Sequence, residues 1–438
     1  MALNFPLSPT IGQLYPSPPV AGQPVYQWDG EKWTVLTGGT SPVYIGDVPP
    51  GNPPNGALWW NSSNGQLYIY YVDGSSAQWV MIISAQSPQG LPTPNRFVNP
   101  AMMVSQEWPL TVVPASGHYP VDGIIYSHST GGSFNCQQIA SPTPGGSPNR
   151  IRITTAIADA SLAANEVGYF SQRIEGLRVA DLMFGSSSAK ALMLRFGVRL
   201  PAGTYGVAVW NGPVSNRRYI AEYTIAPGEA NTDQVRYIPI PPDIIGTWGK
   251  DTATGMYVFW TFAAGANFQG VAGSWGPLVN SEIATTNQYN LASVVGNVME
   301  LFDIDLYDGS GQRPFQVPEY ESALRVARRY YYRMRGAGQG SGFAAGSIYN
   351  SALGIMVGQF PVEMRVPPTA FTYSALSDFG IYSNGGVFTP MNLTSTQSNA
   401  QAFRIDAQIS GGIAGYSGSL LQQVASPAVA HVSWSARP

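Results

Sequence analysis

Residues 192–200 read Leu192-Met193-Leu194-Arg195-Phe196-Gly197-Val198-Arg199-Leu200. Leu192, Leu194, Phe196, Val198 and Leu200 alternate with Met193, Arg195, Gly197 and Arg199, the period-two pattern of a strand with one buried and one partly wet face. The same alternation recurs on both sides. Ile151, Ile153 and Thr155 interleave with Arg150 and Arg152, and Phe302, Ile304 and Leu306 interleave with Asp303 and Asp305. Residues 205–210, 218–224, 235–240 and 256–262 are further strand-like runs between Gly, Pro and Asn turns. Turn signals this regular predict an all-β sandwich or barrel from Arg96 to about Gln312.

The composition of the whole chain agrees. Its 438 residues leave room for several domains and a large core. Only 11% are charged, against about a quarter in an average protein, while 12% are aromatic, which argues against bulk disorder. A formal charge of −3 provides no electrostatic footprint for nucleic acid. No apolar run approaches the length of a membrane span, and the residues after Met1 lack the pattern of a secretory signal. Cys136 is the only cysteine, so no intrachain disulfide forms, and His118, His128 and His431 are too few for a His-rich metal site. These features point to a structural or adhesive protein without cofactor or metal.

Outward from the central strands, residues 1–90 are turn-dense and rich in Trp and Tyr. They carry a weak repeat: Pro19, Gly22, Tyr26, Trp28, Asp29-Gly30 and Trp33, then Pro53-Pro54, Gly56, Trp59-Trp60, Gly65, Tyr68, Tyr70, Asp73-Gly74 and Trp79. Asp-Gly between aromatic runs predicts hairpins with type I′ turns, too small to bury a core alone. Residues 84–95 read as a linker. Downstream, Pro318, Glu319 and Glu321 predict the start of an amphipathic helix over 318–335. Its apolar stripe is Tyr320, Ala323, Leu324, Ala327, Tyr330, Tyr331 and Met334; Arg325, Arg328, Arg329, Arg333 and Arg335 lie opposite. Strands resume at 360–366, 402–409 and 428–434. The expected domains are 1–90 (hairpin repeats), 91–316 (sandwich), 317–344 (amphipathic helix and connector) and 345–438 (a small C-terminal β-domain).

Pro53-Pro54-Asn55-Gly56-Ala57-Leu58-Trp59-Trp60, followed by Gly65-Gln66-Leu67-Tyr68, Asp73-Gly74 and Gln78-Trp79, resembles a hairpin module of bacteriophage tail and other virion proteins. Arg96 to Gln106 is similar to the entry of a jelly-roll domain in tailed-phage fibre proteins. Gln172-Arg173-Ile174-Glu175-Gly176, the 192–200 strand, residues 301–307, Arg313 to Tyr320 and the helix ending at Tyr332 follow in the same order. Residues 360–369 resemble the opening of a small distal domain. The ordered set carries the resemblance, which covers most of the chain. It departs where the strand at Asp303 is less acidic than usual and where the helix lacks a Cys.

The resemblance implies a jelly-roll, carbohydrate-binding-like domain in a virion fibre, a viral structural protein made in the bacterial host cytoplasm. A tail fibre adhering to host surface polysaccharide is the first reading. A head fibre or capsid decoration protein is the alternative in the same class. A glycan-degrading tailspike, from a different class, would show β-helix rungs, and no such period is present. The expected partners are a second and third copy of this chain in a homotrimer, other virion proteins through residues 1–90, and host cell-surface polysaccharide, with no nucleic acid and no membrane insertion.

Candidate ligand contacts are Trp210, Trp248 and Trp275, with Trp260 nearby in sequence, because indoles stack on sugar rings; the competing role for each is packing. Asp303, Asp305 and Asp308 have oxygen ligands for Ca²⁺ but lack the loop spacing, so they read as a solvated strand face. The arginine face of the helix reads as solvated or as pairing with a neighbouring subunit's acids rather than gripping lipopolysaccharide phosphates. No Ser, His and acid fall in a catalytic motif, and Cys136 reads as a buried, inert thiol, so no catalysis is expected.

Overall fold

Eight antiparallel strands divided between two sheets carry the centre of the molecule. In chain order they are β1 (Asn149–Ile157), β2 (Val167–Glu175), β3 (Leu192–Arg199), β4 (Gly203–Asn211), β5 (Arg217–Ile225), β6 (Gln234–Ile240), β7 (Thr254–Ala264) and β8 (Val298–Asp308). One sheet runs β1-β8-β3-β6 and the other β2-β7-β4-β5. That order, two Greek keys folded face to face, is a jelly roll. Residues 133–140 extend the first sheet beside β1, and residues 124–128 and 118–121 extend the second beside β2. The computed structural model describes residues 5–18, 25–36, 43–63, 65–83, 94–212, 216–309, 311–423 and 430–438. The chain divides after Pro92 into two compact units, and the jelly roll lies in the second.

The period-two reading holds inside the sandwich except at Phe302, which turns outward against Gly197 and Arg150 where the register shifts and Asp303 takes φ +48°. Leu194, Phe196 and Val198 of β3 meet Val207, Val258 and Trp260 of the other sheet in one buried cluster. It fails on the outside. Arg195 is only 4% exposed, and Asp303 and Asp305 are 0% and 2% exposed, so the expected solvated face is a buried polar layer. Asp303 accepts hydrogen bonds from the Thr143 hydroxyl (2.8 Å), the Gly145 N–H (2.9 Å) and the Ser147 hydroxyl. Asp305 pairs with Arg313 (2.8 Å), and the Arg195 guanidinium lies 5.3 Å from the Phe315 ring centre. Residues 313–315 and the 143–147 turn thus cover this sheet, and desolvation raises the Asp305 pKa against the pull of Arg313. Charged residues alternating with apolar ones look wet in sequence; here they are paired with one another under a second layer of chain.

The helix is shorter than expected. It spans Tyr320–Arg328, and Tyr331–Arg335 is a strand paired antiparallel with His431–Ser435. Ala323, Ala327 and Tyr330 pack on Val98 and Val104, so the centre of the apolar stripe is covered within this chain. Arg329 pairs with Glu175 at 2.7 Å, and Arg333 and Arg335 donate to the carbonyls of Glu107 and Gln106. These arginines therefore hold their own chain together, which corrects the solvated-face reading at those positions.

The C-terminal β-structure consequently begins at Tyr331, inside the expected connector. It packs a three-stranded sheet and a seven-stranded sheet around Trp434, Phe360, Phe403 and Ile405. The strand expected over 360–366 lies one step earlier, at Leu353–Gln359, and pairs with Ala402–Gln408. Of the strand expected over 428–434, residues 428 and 429 lie outside the described residues and the strand spans His431–Ser435.

In the first unit the hairpins form, with a different turn. Asp29 and Asp73 each open a four-residue loop and accept from two backbone N–H groups, of Glu31 and Lys32 and of Ser75 and Ser76. The carboxylate does the work that two positive φ angles would do in a type I′ turn. The repeat is shifted as well. Gly12 (φ +86°) and Gln13 exchange backbone bonds with Trp28 as Gly56 (φ +81°) and Ala57 do with Tyr70. The first copy therefore begins near Thr10, while Pro19 and Gly22 lie outside the described residues. Aromatic clusters fill each copy: Phe5, Tyr15, Tyr26 and Trp33 in one, Trp59, Tyr68 and Trp79 in the other.

Candidate functional site

The outer face of the β2-β7-β4-β5 sheet carries a set of aromatic side chains. In β7, Met256, Val258 and Trp260 point into the sandwich, so Tyr257 and Phe259 point out. Register aligns Arg173 of β2 with Tyr257, Tyr257 with Trp210 of β4, and Trp210 with Arg218 of β5. The result is a cross-strand row, Arg173–Tyr257–Trp210–Arg218. Phe259 lies behind it, 4.5 Å from the Trp210 ring centre, 5.9 Å from Tyr257 and 5.3 Å from Tyr169. Tyr169, Tyr257 and Trp210 are half-buried, while Phe259 is buried.

The ends of the row are fixed differently. The Trp210 indole N–H donates to the Glu282 carbonyl (2.9 Å), and the Glu282 carboxylate holds Arg218 at 2.6 Å. Arg173 is exposed, sits 5.6 Å from the Tyr257 ring centre and donates to the Pro438 carbonyl oxygen (2.9 Å).

Arg173 also borders a small cleft beside the row, walled by Ile125 and Ser171 of the sheet, Tyr119, Tyr330, Arg437 and Pro438. Ile125 and Ser171 are register partners, so the cleft continues the same outer face. Ser171 is 2% exposed and its hydroxyl has no hydrogen-bond partner. The Arg437 guanidinium is clamped between the rings of Tyr119 (3.7 Å) and Tyr331 (4.0 Å) and pairs with Glu107 at 2.7 Å. Behind the cleft, burial pushes the Asp122 carboxyl up to about 6, partly offset by Arg437 and by hydrogen bonds from Gln106. Burial, then the Glu175 carboxylate, raises the Tyr330 phenol well above its usual range.

Of the tryptophans singled out in the sequence, Trp210 alone is on this face. Trp248 is 8% exposed, and its indole N–H turns inward to Asp243 and Ile245 at 3.3 Å. Trp275 donates to the Pro241 carbonyl (2.7 Å), and both rings pack on Phe184. These two meet each other, 5.4 Å between ring centres, but neither reaches the row. Trp260 is fully buried between the sheets. The sequence reading missed Tyr169, Tyr257 and Arg173. Their signal was present: Tyr169, Ser171 and Arg173 keep period two along β2, on the side opposite Phe170, Gln172 and Ile174.

Among the described residues no group of three or more His, Cys, Asp or Glu side chains could hold a metal. Cys136 is buried and unpaired with a second cysteine, and desolvation raises its pKa well above the ordinary thiol value. No described helix is long and apolar enough to cross a membrane.

No protein-family model and no curated protein matches the chain. Solved structures similar to it include the enzymatically active domain of tailspike protein 4 from bacteriophage CBA120, at 10% identity over 45% of this chain and 21% of that one, TM-score 0.26. A family 11 carbohydrate-binding module from a cellulosomal cellulase of Clostridium thermocellum matches at 11% identity over 47% of this chain and 98% of the module, TM-score 0.24. Discoidin II of Dictyostelium discoideum matches at 12% identity over 64% and 81%, TM-score 0.14. Scores this low decide nothing about activity; the jelly-roll assignment stands on the strand order above.

Proposed function

We propose that this chain is an adhesive, non-enzymatic β-protein that binds a surface polysaccharide across the outer face of the β2-β7-β4-β5 sheet. One observation carries the reading: register lines up Tyr257 and Trp210, half-buried and with Phe259 packed beside them, in a row across the strands. A rigid aromatic strip on a sheet gives sugar rings a flat apolar surface at little entropic cost. The buried acids Glu175, Asp243, Glu300 and Asp305 are each engaged by an arginine, which supports a binding role over acid–base catalysis. The ordered landmarks shared with tailed-phage fibres support a virion tail fibre, with residues 1–90 contacting other virion proteins and the chain acting as a trimer.

Each stacked ring contributes about 1 kcal/mol, roughly a fivefold change in affinity, so a single site binds weakly and copies on one particle multiply the contact. Beads carrying the full chain are expected to retain host cells that the soluble protein binds poorly. Tyr257→Ala with Trp210→Ala is expected to abolish retention while circular dichroism stays unchanged. Equal retention by the double variant, or by cells stripped of surface polysaccharide, overturns the proposal.

A further inference from the structure

We infer that copies of this chain meet through one face of the sheet in residues 43–83, the face that carries Ile45, Trp60 and Val80. The inference rests on the self-association proposed above and names its surface. The sheet pairs Val43–Gly46, Leu58–Asn61, Gln66–Val72 and Ala77–Ile83 in that order. Side chains alternate between its two faces. Trp59, 5% exposed, fills one face with Tyr68 and Trp79, whose ring centres lie 4.9 and 5.6 Å away. On the opposite face, register places Val43, Leu58, Ile69 and Val80 in one row across all four strands. Ile45, Trp60 and Leu67 form the next row. Both rows are wholly apolar, and none of their side chains is buried. Asp47 and Asp73, the only charged residues over 43–83, lie outside the strands.

The first copy of the repeat shows that the hairpin does not itself require this. Gly12 and Trp28 correspond to Gly56 and Tyr70 through their shared backbone bonds. Trp33 then corresponds to Trp79, so Gln27 and Thr34 stand where the second copy has Ile69 and Val80. The same fold thus carries polar side chains on this face in one copy and apolar ones in the other. Val43, Ile45, Trp60, Tyr71 and Val80 are 58%, 77%, 42%, 49% and 40% exposed. At roughly 150–250 Å² for a fully exposed side chain, that leaves about 500 Å² of apolar surface in water, the size at which a patch marks an interaction site.

The occupant is the same face of the other copies. A face without charge or hydrogen-bonding side chains fits a partner that is equally apolar and flat, and the identical face meets that requirement without like-charge contacts. Three copies closed around one axis bury about 1,500 Å² in all, within the range of specific interfaces. A sheet of about forty residues also needs a disulfide, a metal or association to be stable. It has no cysteine, and the described residues hold no metal cluster.

The test uses the full-length protein. Sedimentation at micromolar concentration is expected to show a trimer. Val43→Asp with Ile45→Asp is expected to weaken association about tenfold or more while circular dichroism stays unchanged, because both side chains are exposed in the single chain and only assembly buries the new charges. Ile45→Cys is expected to react with a maleimide about tenfold more slowly than Val35→Cys on the first copy, and to approach that rate once dilution separates the copies; Cys136 is buried. A native monomer overturns both this inference and the self-association on which it rests. An oligomer that the double variant leaves intact, or in which Ile45→Cys reacts as fast as Val35→Cys, overturns this inference alone and gives the face to a partner other than this chain.

Discussion

Removing the Glu175 carboxylate is expected to loosen the joint between the jelly roll and everything after the helix. Glu175, 2% exposed at the end of β2, accepts two hydrogen bonds from Arg329 (2.7 and 3.1 Å) and one from the Tyr330 hydroxyl (2.6 Å). Breaking a buried ion pair by deleting one partner costs about 3–5 kcal/mol. Arg329, with 30% of its side chain exposed, recovers water, whereas the buried Tyr330 hydroxyl does not. Glu175→Ala should therefore cost about 4 kcal/mol and Glu175→Gln about half of that, since the amide still accepts one bond. Tyr330→Phe should cost about 1 kcal/mol in the native background and close to nothing in Glu175→Ala, because both changes remove the same contact. Urea unfolding followed by tryptophan fluorescence reads all four, as shifts in midpoint at constant slope. Tyr330 also walls the cleft, so weaker glycan binding should accompany the lost stability. A Glu175→Ala cost under about 1 kcal/mol, or additive effects of the two substitutions, would refute a coupled network.

Asp122, ordinarily near 3.8 and raised to about 6 by burial, binds its proton more tightly in the folded state. Its contribution is therefore full below pH 4 and lost as pH rises through 6, roughly 3 kcal/mol in all. The stability difference between native protein and Asp122→Asn should shift by about that amount between pH 4 and 7; parallel urea midpoints across that range would contradict it. Gly168→Ala should cost about 1–3 kcal/mol in the same assay, because a Cβ there collides with the Phe262 ring inside the sandwich; an unchanged midpoint would show that the ring gives way freely.

Local pattern was a good guide wherever one face of a strand meets the core. The period-two runs at 192–200 and 256–262 and the Asp-Gly loops were legible because burial and chain reversal act over a few residues. Patterns of the other face were not. Asp303 and Asp305 read as solvated, yet Arg313, eight residues from Asp305, and the 143–147 turn, about 160 residues from Asp303, cover them. The helix was extended past Arg328 because Tyr330, Tyr331 and Met334 keep helical spacing, and only pairing with residues 431–435 turns that stretch into a strand.

The candidate site divides in the same way. Composition alone pointed to aromatic side chains as the ligand contacts, and the structure places Trp210 on the outer face of the sheet. Nothing in the sequence separates Trp210 from Trp248 and Trp275, whose indoles are turned inward by Asp243 and Pro241. Nor does it pair Arg173 with Tyr257, 84 positions away, or bring Arg437 to Ser171. By itself the sequence determined that the chain is a β-sandwich with aromatic hairpins before it, since those features depend on alternation and turn chemistry. The tertiary structure alone decided which aromatic residues share a surface and which arginine meets which acid, because strand register is set by the packing of whole sheets.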